Sequence, residues 1–492
     1  MKKRLLPLLC APALALALTA CGAQQTTQTG ITDAVALTFT DSGITAQDGT
    51  AGYEIDGTAL TITESGTYAV SGSCADGTIQ IKKGTTGVTL ILNGLDLTSG
   101  DSAAITCGKS GEVTILAADG TQNALSDTEQ NNDDNYPDNS DAENAVIKCK
   151  DGSAVTLGGT GALTVTANGK NGIKSGAATE EDGEASLTIR DLTLHINAPV
   201  NDAINAEQLL NVESGTLTID AADDAIHCDM ILNIGADGSD GPTIDITSCY
   251  EGLEGAELNV LSGNITINAS DDCMNAANSD LTGYAFTLTI SGGTIDAYSS
   301  SGDGFDSNGD LTITGGMVVV WTANTADNEP LDADGTITVT GGTVLAAGGS
   351  SGMGMSLEAA QPCVIYGVSG LGGTPGSAQS SSLIASGADV TIEDSSGSTV
   401  YSGTARCNAC FVLFSSADVT ADGPYTLKAG DSSAEGTAQS GTVSTGMGMG
   451  GGFRGGQKSD GEPPEGFDGQ MPNGEKSELP DGEVPEMPSG ER

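Results

Sequence analysis

Asp202-Ala203-Ile204-Asn205-Ala206 and Asp224-Ala225-Ile226-His227-Cys228 are one phrase written twice, 22 residues apart. Each runs from an acidic residue through a small one to an apolar anchor, with another small residue two places further on. Upstream the phrase recurs as Ala103-Ala104-Ile105, Ala145-Val146-Ile147 and Asn171-Gly172-Ile173. Downstream it returns as Glu251-Gly252-Leu253, Asp272-Cys273-Met274, Asp303-Gly304-Phe305 and Glu329-Pro330-Leu331. From Ile173 onward the anchors step by 31, 22, 27, 21, 31 and 26 residues. Self-similarity at that period is the mark of a solenoid, where each repeat buries its apolar side only against its neighbours.

Between anchors the chain alternates with period two, as in Gly215-Thr216-Leu217-Thr218-Ile219, Gly263-Asn264-Ile265-Thr266-Ile267 and Gly335-Thr336-Ile337-Thr338-Val339. Threonine on one face and aliphatic residues on the other make a half-buried strand. No stretch between residues 35 and 350 has helical periodicity. A β-sandwich also has short alternating strands, but it does not place one phrase once per coil. Two positions after the anchor stand Cys107, Cys149, Ser175, Ala206, Cys228, Gly255, Ala276, Ser307 and Ala333, all small, as a tight stacked corner requires. Most of the cysteines beyond Cys10 and Cys21 therefore read as small packing residues rather than as a disulfide framework.

The expected fold is all-β: a right-handed parallel β-helix over residues 35–352 with small β caps, the C-terminal one over 353–445. Residues 446–492 are rich in Gly and Met, then in Glu, Pro and Gly. They cannot bury a core and are expected to be a disordered tail. At the other end, Met1-Lys2-Lys3-Arg4 precedes an apolar run from Leu5 to Leu18 that is too short to span a bilayer. Leu18-Thr19-Ala20-Cys21 has the form of a lipobox. Residues 1–20 are thus expected to be a lipoprotein signal peptide, Cys21 the lipidated residue and 21–34 a tether. That places the chain on the extracellular face of the cell membrane, held only by its lipid.

Net charge is −49, which excludes nucleic acid and anionic membrane surfaces as natural partners. An unfolded acidic chain would share that charge but not the regular Val/Ile/Leu alternation. The acids have a position: two residues before successive anchors stand Asn171, Asp202, Asp224, Glu251, Asp272, Asp303 and Glu329. Asp223, Asp271, Glu254, Asp306, Asp332 and Asp334 lie beside them. Stacked strands bring such groups within about 4.8 Å, where like charges repel. Between Arg190 and Arg406 there is no lysine or arginine to relieve them. Either solvent and raised pKa values absorb the repulsion, or a cation does, and hard oxygen donors suit calcium. Asp and Asn at turns also cap strands without any metal. The candidate calcium ligands are Asp202, Asp223, Asp224, Glu251, Asp271, Asp272, Asp303 and Asp306. Of the two histidines, His195 falls in a strand and His227 just past an anchor, neither with a partner in sequence that implies catalysis.

Gly66-Thr67-Tyr68-Ala69-Val70-Ser71-Gly72, Val88-Thr89-Leu90-Ile91-Leu92-Asn93-Gly94 and Asn123-Ala124-Leu125-Ser126-Asp127 form a distinctive series. Followed by Asn171-Gly172-Ile173-Lys174 and the Asp-Ala-Ile coils, the chain resembles the bacterial family of carbohydrate-binding domain-containing proteins, from about Val35 to about Ala429. The resemblance implies a secreted β-helix akin to pectate lyases, calcium on turn carboxylates, and affinity for cellulose-like and pectin-like polysaccharides without catalysis. Asp202, Asp224, Asp272 and Asp303 occupy the family's acidic positions. Glu251 and Glu329 depart to the longer acid, and Ala103 and Ala145 have none, which leaves the first coils outside the calcium set.

The expected function is binding of plant cell-wall-type polysaccharide by a monomer through a calcium-loaded acidic face, with Trp321 and Tyr250 as aromatic glycan contacts. Two other readings stand beside it: a calcium-dependent lyase, with Lys170 and Lys174 the nearest candidate bases, and a surface scaffold or adhesin that calcium rigidifies. A polygalacturonase-type hydrolase is disfavoured, because its Gly-His-Gly and Arg-Ile-Lys motifs are missing.

Overall fold

Alternating threonine and aliphatic residues, with no helical periodicity to compete, leave extended backbone as the one way to bury the aliphatic side. A computed structural model describes residues 33–444 other than 48, 280, 282, 324–328, 350–355 and 368–381. The signal peptide, Cys21 and the 446–492 tail lie outside the described residues, as does almost all of the tether. Those described contain strands, turns and no helix. One mixed sheet joins 34 strands, and a separate sheet joins four.

The large sheet is dominated by parallel pairing that skips two strands over much of its length, and one where a single long strand such as Ile226–Ile234 serves two ladders. Ala145–Cys149 pairs with Asn171–Ser175, which pairs with Ile204–Ala206 and then with Ile226–Ile234. Glu112–Ala117, Ala154–Gly158 and Ser186–Ile189 form a second such ladder. Ala162–Thr166, Leu192–Ala198 and Gly215–Ala221 form a third. Three consecutive strands thus make one tier that hydrogen-bonds in parallel to the next.

Register along the first ladder is set by the anchors. Ile105 faces Ile147, and the series continues through Ile173, Ile204, Ile226, Leu253, Met274 and Phe305 to Leu331. All nine are fully buried in one continuous core. The small row follows the same register, with Cys107, Cys149, Ser175, Ala206 and Cys228 as successive partners. The nine described cysteines are buried, and none of them forms a disulfide with another described residue. Between acid and anchor the residue is small for a steric reason: a Cβ on Gly252 would meet the Cys273 carbonyl oxygen at 2.3 Å, and one on Gly304 the Pro330 carbonyl oxygen at 2.4 Å.

Parallel pairing continues past residue 352, since Leu357 still partners Ile337. The strand Ser356–Gly367 then turns to antiparallel partners, Phe411–Ser415 and Gln439–Ser444. The four-stranded sheet, from Asp389–Asp394, Thr399–Thr404, Pro424–Ala429 and Ser432–Thr437, is antiparallel throughout. It supplies much of a second apolar core. That second core corrects one expectation. Trp321 is 1% exposed, packed with Leu345, Val364, Tyr366 and Phe414. Val318 and Val320 of the same strand fill the first core, so alternation sends Trp321 to the opposite face, and the cap covers that face. It is a core residue with no ring face left for sugar.

Candidate functional site

The acids before the anchors stack as tiers do. Gly172 N–H donates to the Asp202 carbonyl (3.0 Å), Ala203 to Asp224 (2.9 Å), Ala225 to Glu251 (2.9 Å), Gly252 to Asp272 (2.9 Å), Cys273 to Asp303 (3.2 Å) and Gly304 to Glu329 (2.8 Å). Their backbones therefore form one ladder, and their side chains one column. Three of them also cap the next tier. Asp202 Oδ1 accepts the Asp224 N–H (3.3 Å), Asp272 Oδ1 the Asp303 N–H (2.6 Å) and Asp303 Oδ1 the Glu329 N–H (2.5 Å). Capping explains part of the acid choice but not its charge, because asparagine accepts equally well.

A second column runs beside it, at the position just after each anchor: Lys148, Lys174, Asn205, His227, Glu254, Asn275 and Asp306 in successive register. The two columns touch. Asn205 Nδ2 donates to Asp202 Oδ2 (2.6 Å), and Asn275 Nδ2 to Glu251 Oε2 (3.1 Å). His227 Nδ1 meets Asp224 Oδ2 (3.1 Å) and also contacts Glu254, while Nε2 meets Asp229 Oδ1 (2.8 Å). Asp224 and Asp229 lie close to His227 in the chain, but Glu254 reaches it only through the stack.

Electrostatics follow from this packing. Burial, reinforced by neighbouring carboxylates, pushes Asp202 and Asp306 up to about 6, Asp272 and Asp303 to about 7, and Glu251 and Glu329 to about 8. Burial alone would lower the His227 imidazolium, but the three acids around it outweigh burial and hold it protonated. His227 is thus an internal cation for its own tier and the next.

Two oxygen-only groups have ligand atoms within 4.8 Å of one another: Asp202, Asp223 and Asp224, and Asp303, Asp306 and Asp332. Beside the second lies Glu329, only 9% exposed, whose carboxylate has no hydrogen-bond donor among the described residues. Buried, unpaired and next to two further acids, it makes this donor set fit a hard divalent cation. The third group, Asp224, His227 and Glu254, already holds its positive charge. Of the expected calcium ligands, Asp202, Asp223 and Asp224 come together, and so do Asp303 and Asp306, joined by Asp332. Glu251 instead meets Asn275. Asp272 caps the next tier, and Asp271 takes the hydroxyl of Tyr250, whose pKa this hydrogen bond raises to about 12. Tyr250 is 47% exposed and stands beside the column.

The model of the family described as carbohydrate-binding domain-containing protein matches residues 56–352 and, overlapping, 237–396. A carbohydrate-binding domain-containing protein of Acetivibrio thermocellus is 32% identical over 166 residues, covering 32% of this chain and 55% of that relative. The chain therefore spans about half the length of the curated relative it matches. Among solved structures, a polysaccharide lyase-like protein from C. thermocellum, determined as a gadolinium derivative, is 23% identical with a TM-score of 0.32. It covers 63% of this chain and 92% of that one.

Proposed function

The chain belongs to the family of carbohydrate-binding domain-containing proteins, and from that premise we propose that it is a non-catalytic, lipid-anchored surface protein that binds acidic polysaccharide through calcium. The tiers are read as the coils of a right-handed parallel β-helix, a winding that fits parallel pairing to every third strand. The observation that carries the calcium reading is the group of Asp303, Asp306 and Asp332 with the unpaired, buried Glu329 and no lysine or arginine in the surrounding sequence. Calcium accepts roughly six to eight oxygens, so these side chains would leave positions that a uronate carboxylate can fill. The side chains themselves set the spacing, exclude competing cationic residues and present the column to the ligand. With Trp321 buried, the exposed Tyr250 serves this face, and stacking on one tyrosine gives a neutral sugar chain little affinity.

The test is calorimetric titration with polygalacturonate. Affinity should fall at least about tenfold in excess chelator, and by a similar factor in Asp303→Asn/Asp306→Asn with calcium present. Affinity unchanged by chelator would overturn the calcium reading.

A further inference from the structure

Lys148 and Lys174 are direct partners on the first parallel ladder, so two ammonium-bearing side chains leave neighbouring strands on one face, about 4.8 Å apart at their backbones. Both are half-buried. Lys148 makes no ion pair or hydrogen bond with any described residue. The acids near the pair are engaged elsewhere or stand off: Glu143 is held by Lys150 at 2.6 Å, Asp134 by Lys170, and Glu207 lies 3.9 Å from Lys174. Burial first, and then the neighbouring Lys174, push the Lys148 ammonium down against the opposing pull of Glu207 and Glu143. In a chain of net charge −49, two adjacent lysines whose one ion-pair partner is Glu207, at 3.9 Å from Lys174, are the inverse of the acidic column. The pair lies on the same strip, because Lys174 is followed on the ladder by Asn205 and then by His227.

We propose that Lys148 and Lys174 form a second glycan subsite that takes the carboxylate of an acidic sugar directly, without metal. The inference rests on the polysaccharide reading and deepens it. Charge-assisted contacts from two ammonium groups to one carboxylate are short and strong, and they relieve the repulsion that the ladder imposes. Five ladder steps separate Lys174 from Asp306, about 24 Å at strand spacing, room for several sugar residues. An acidic polymer lying along the strip would meet ammonium groups at one end and metal-bound carboxylates at the other, so the strip has a direction. A neutral polymer would gain from neither end.

The experiment uses the full chain at low salt in excess chelator, titrated with oligogalacturonate and with its methyl ester. The wild type should bind the acid and not the ester. Lys148→Gln/Lys174→Gln keeps the aliphatic stems, and it should weaken the chelator-resistant binding about tenfold or more. Its calcium-dependent increment should remain, and Lys148→Arg/Lys174→Arg should retain affinity. Affinity of the Gln pair within about twofold of wild type in chelator would overturn the subsite, and so would equal binding of acid and ester. If the wild type binds oligogalacturonate only when calcium is present, the lysine subsite falls while the calcium reading stands. If it binds neither with calcium nor without, both fall.

Discussion

Around the tiers of Ile105, Ile147 and Ile173, carboxylates are answered by lysines: Lys109 reaches Asp151 (2.7 Å) and Asp182 (3.3 Å), Lys83 also reaches Asp182 (2.9 Å), and Lys170 reaches Asp134. Those hydrogen bonds hold Asp151, Asp182 and Asp134 below the usual carboxylate range. From Asp202 to Glu329 the same ladder carries acids that face acids, and burial raises Asp202, Asp223, Asp224, Glu251, Asp272, Asp303, Asp306 and Glu329 alike. The interior does not change across this divide, since Ile147 and Ile226 are equally buried members of one core. Core stacking and surface charge are therefore separable properties of the repeat. In one set of tiers lysines meet the carboxylates at Asp134, Asp151 and Asp182, and the other leaves its charge to a proton, an imidazolium or an added cation.

The largest effects should ignore the divide. Ile147→Asp and Ile226→Asp each place an uncompensated charge in the core and should cost several kcal/mol, abolishing the cooperative melt followed by circular dichroism. A near-normal melt for either would break the claim of a shared interior.

His227→Gln comes next and should act on the acidic side alone. Removing one partner of a buried charged group costs roughly 3–5 kcal/mol, here by leaving Asp224, Asp229 and Glu254 facing one another. Because the folded-state His227 is raised above its unfolded value, its contribution is fully present below about 6.5. It persists upward through neutral pH, where the loss in the variant should be plain by urea denaturation. An unchanged midpoint would show that His227 is not the cation of its tiers.

The third effect has the opposite sign. Asp303→Asn keeps an oxygen for the Glu329 N–H and removes a charge, so in chelator at pH 8 it should stabilise by about 1 kcal/mol. The same logic gives the pH dependence. Carboxyls raised to about 6 to 8 bind protons in the folded state that the unfolded chain, with values of about 4, has released. Their stabilisation is complete below about 4 and is lost as pH climbs to about 8. The melting temperature in chelator should fall over that window, and calcium should restore it at pH 8 with little effect at pH 5. A melting temperature that rises from pH 5 to pH 8 in chelator would refute the raised carboxyls.

Lys109→Ala should give the smallest change. Exposed ion pairs contribute little, and Asp182 keeps Lys83. The calcium-induced rise in melting temperature should be the same as in the wild type, and a reduced rise would show that the two sets of tiers are coupled.

Much of this was legible in the residues. The anchor phrase predicted which side chains stack on which, because the same small-then-apolar pair must return wherever the ladder returns. The acid two places earlier was legible for the same reason. The column just after the anchor was not, since Lys148, Asn205, His227 and Asp306 share no residue type and only the register unites them. His227 looked isolated because its partner Glu254 is 27 residues away in sequence. Trp321 misled because period-two alternation distinguishes two faces without saying whether the second is covered. The four-stranded sheet that covers it leaves no mark in the sequence of the strand it shields.

The middle tiers each hydrogen-bond to the one before and the one after and present the same edge to both. Removing the residues between two equivalent anchors, for instance from Ile204 up to but not including Ile226, would bring Ile173 against Ile226 with a complementary strand on either side. Lengthening or shortening such a chain by whole repeats leaves each ladder strand a partner on either side. Binding sites along the strip can then be gained or lost one at a time, and the reach of the molecule can be matched by inheritance to the length of what it holds.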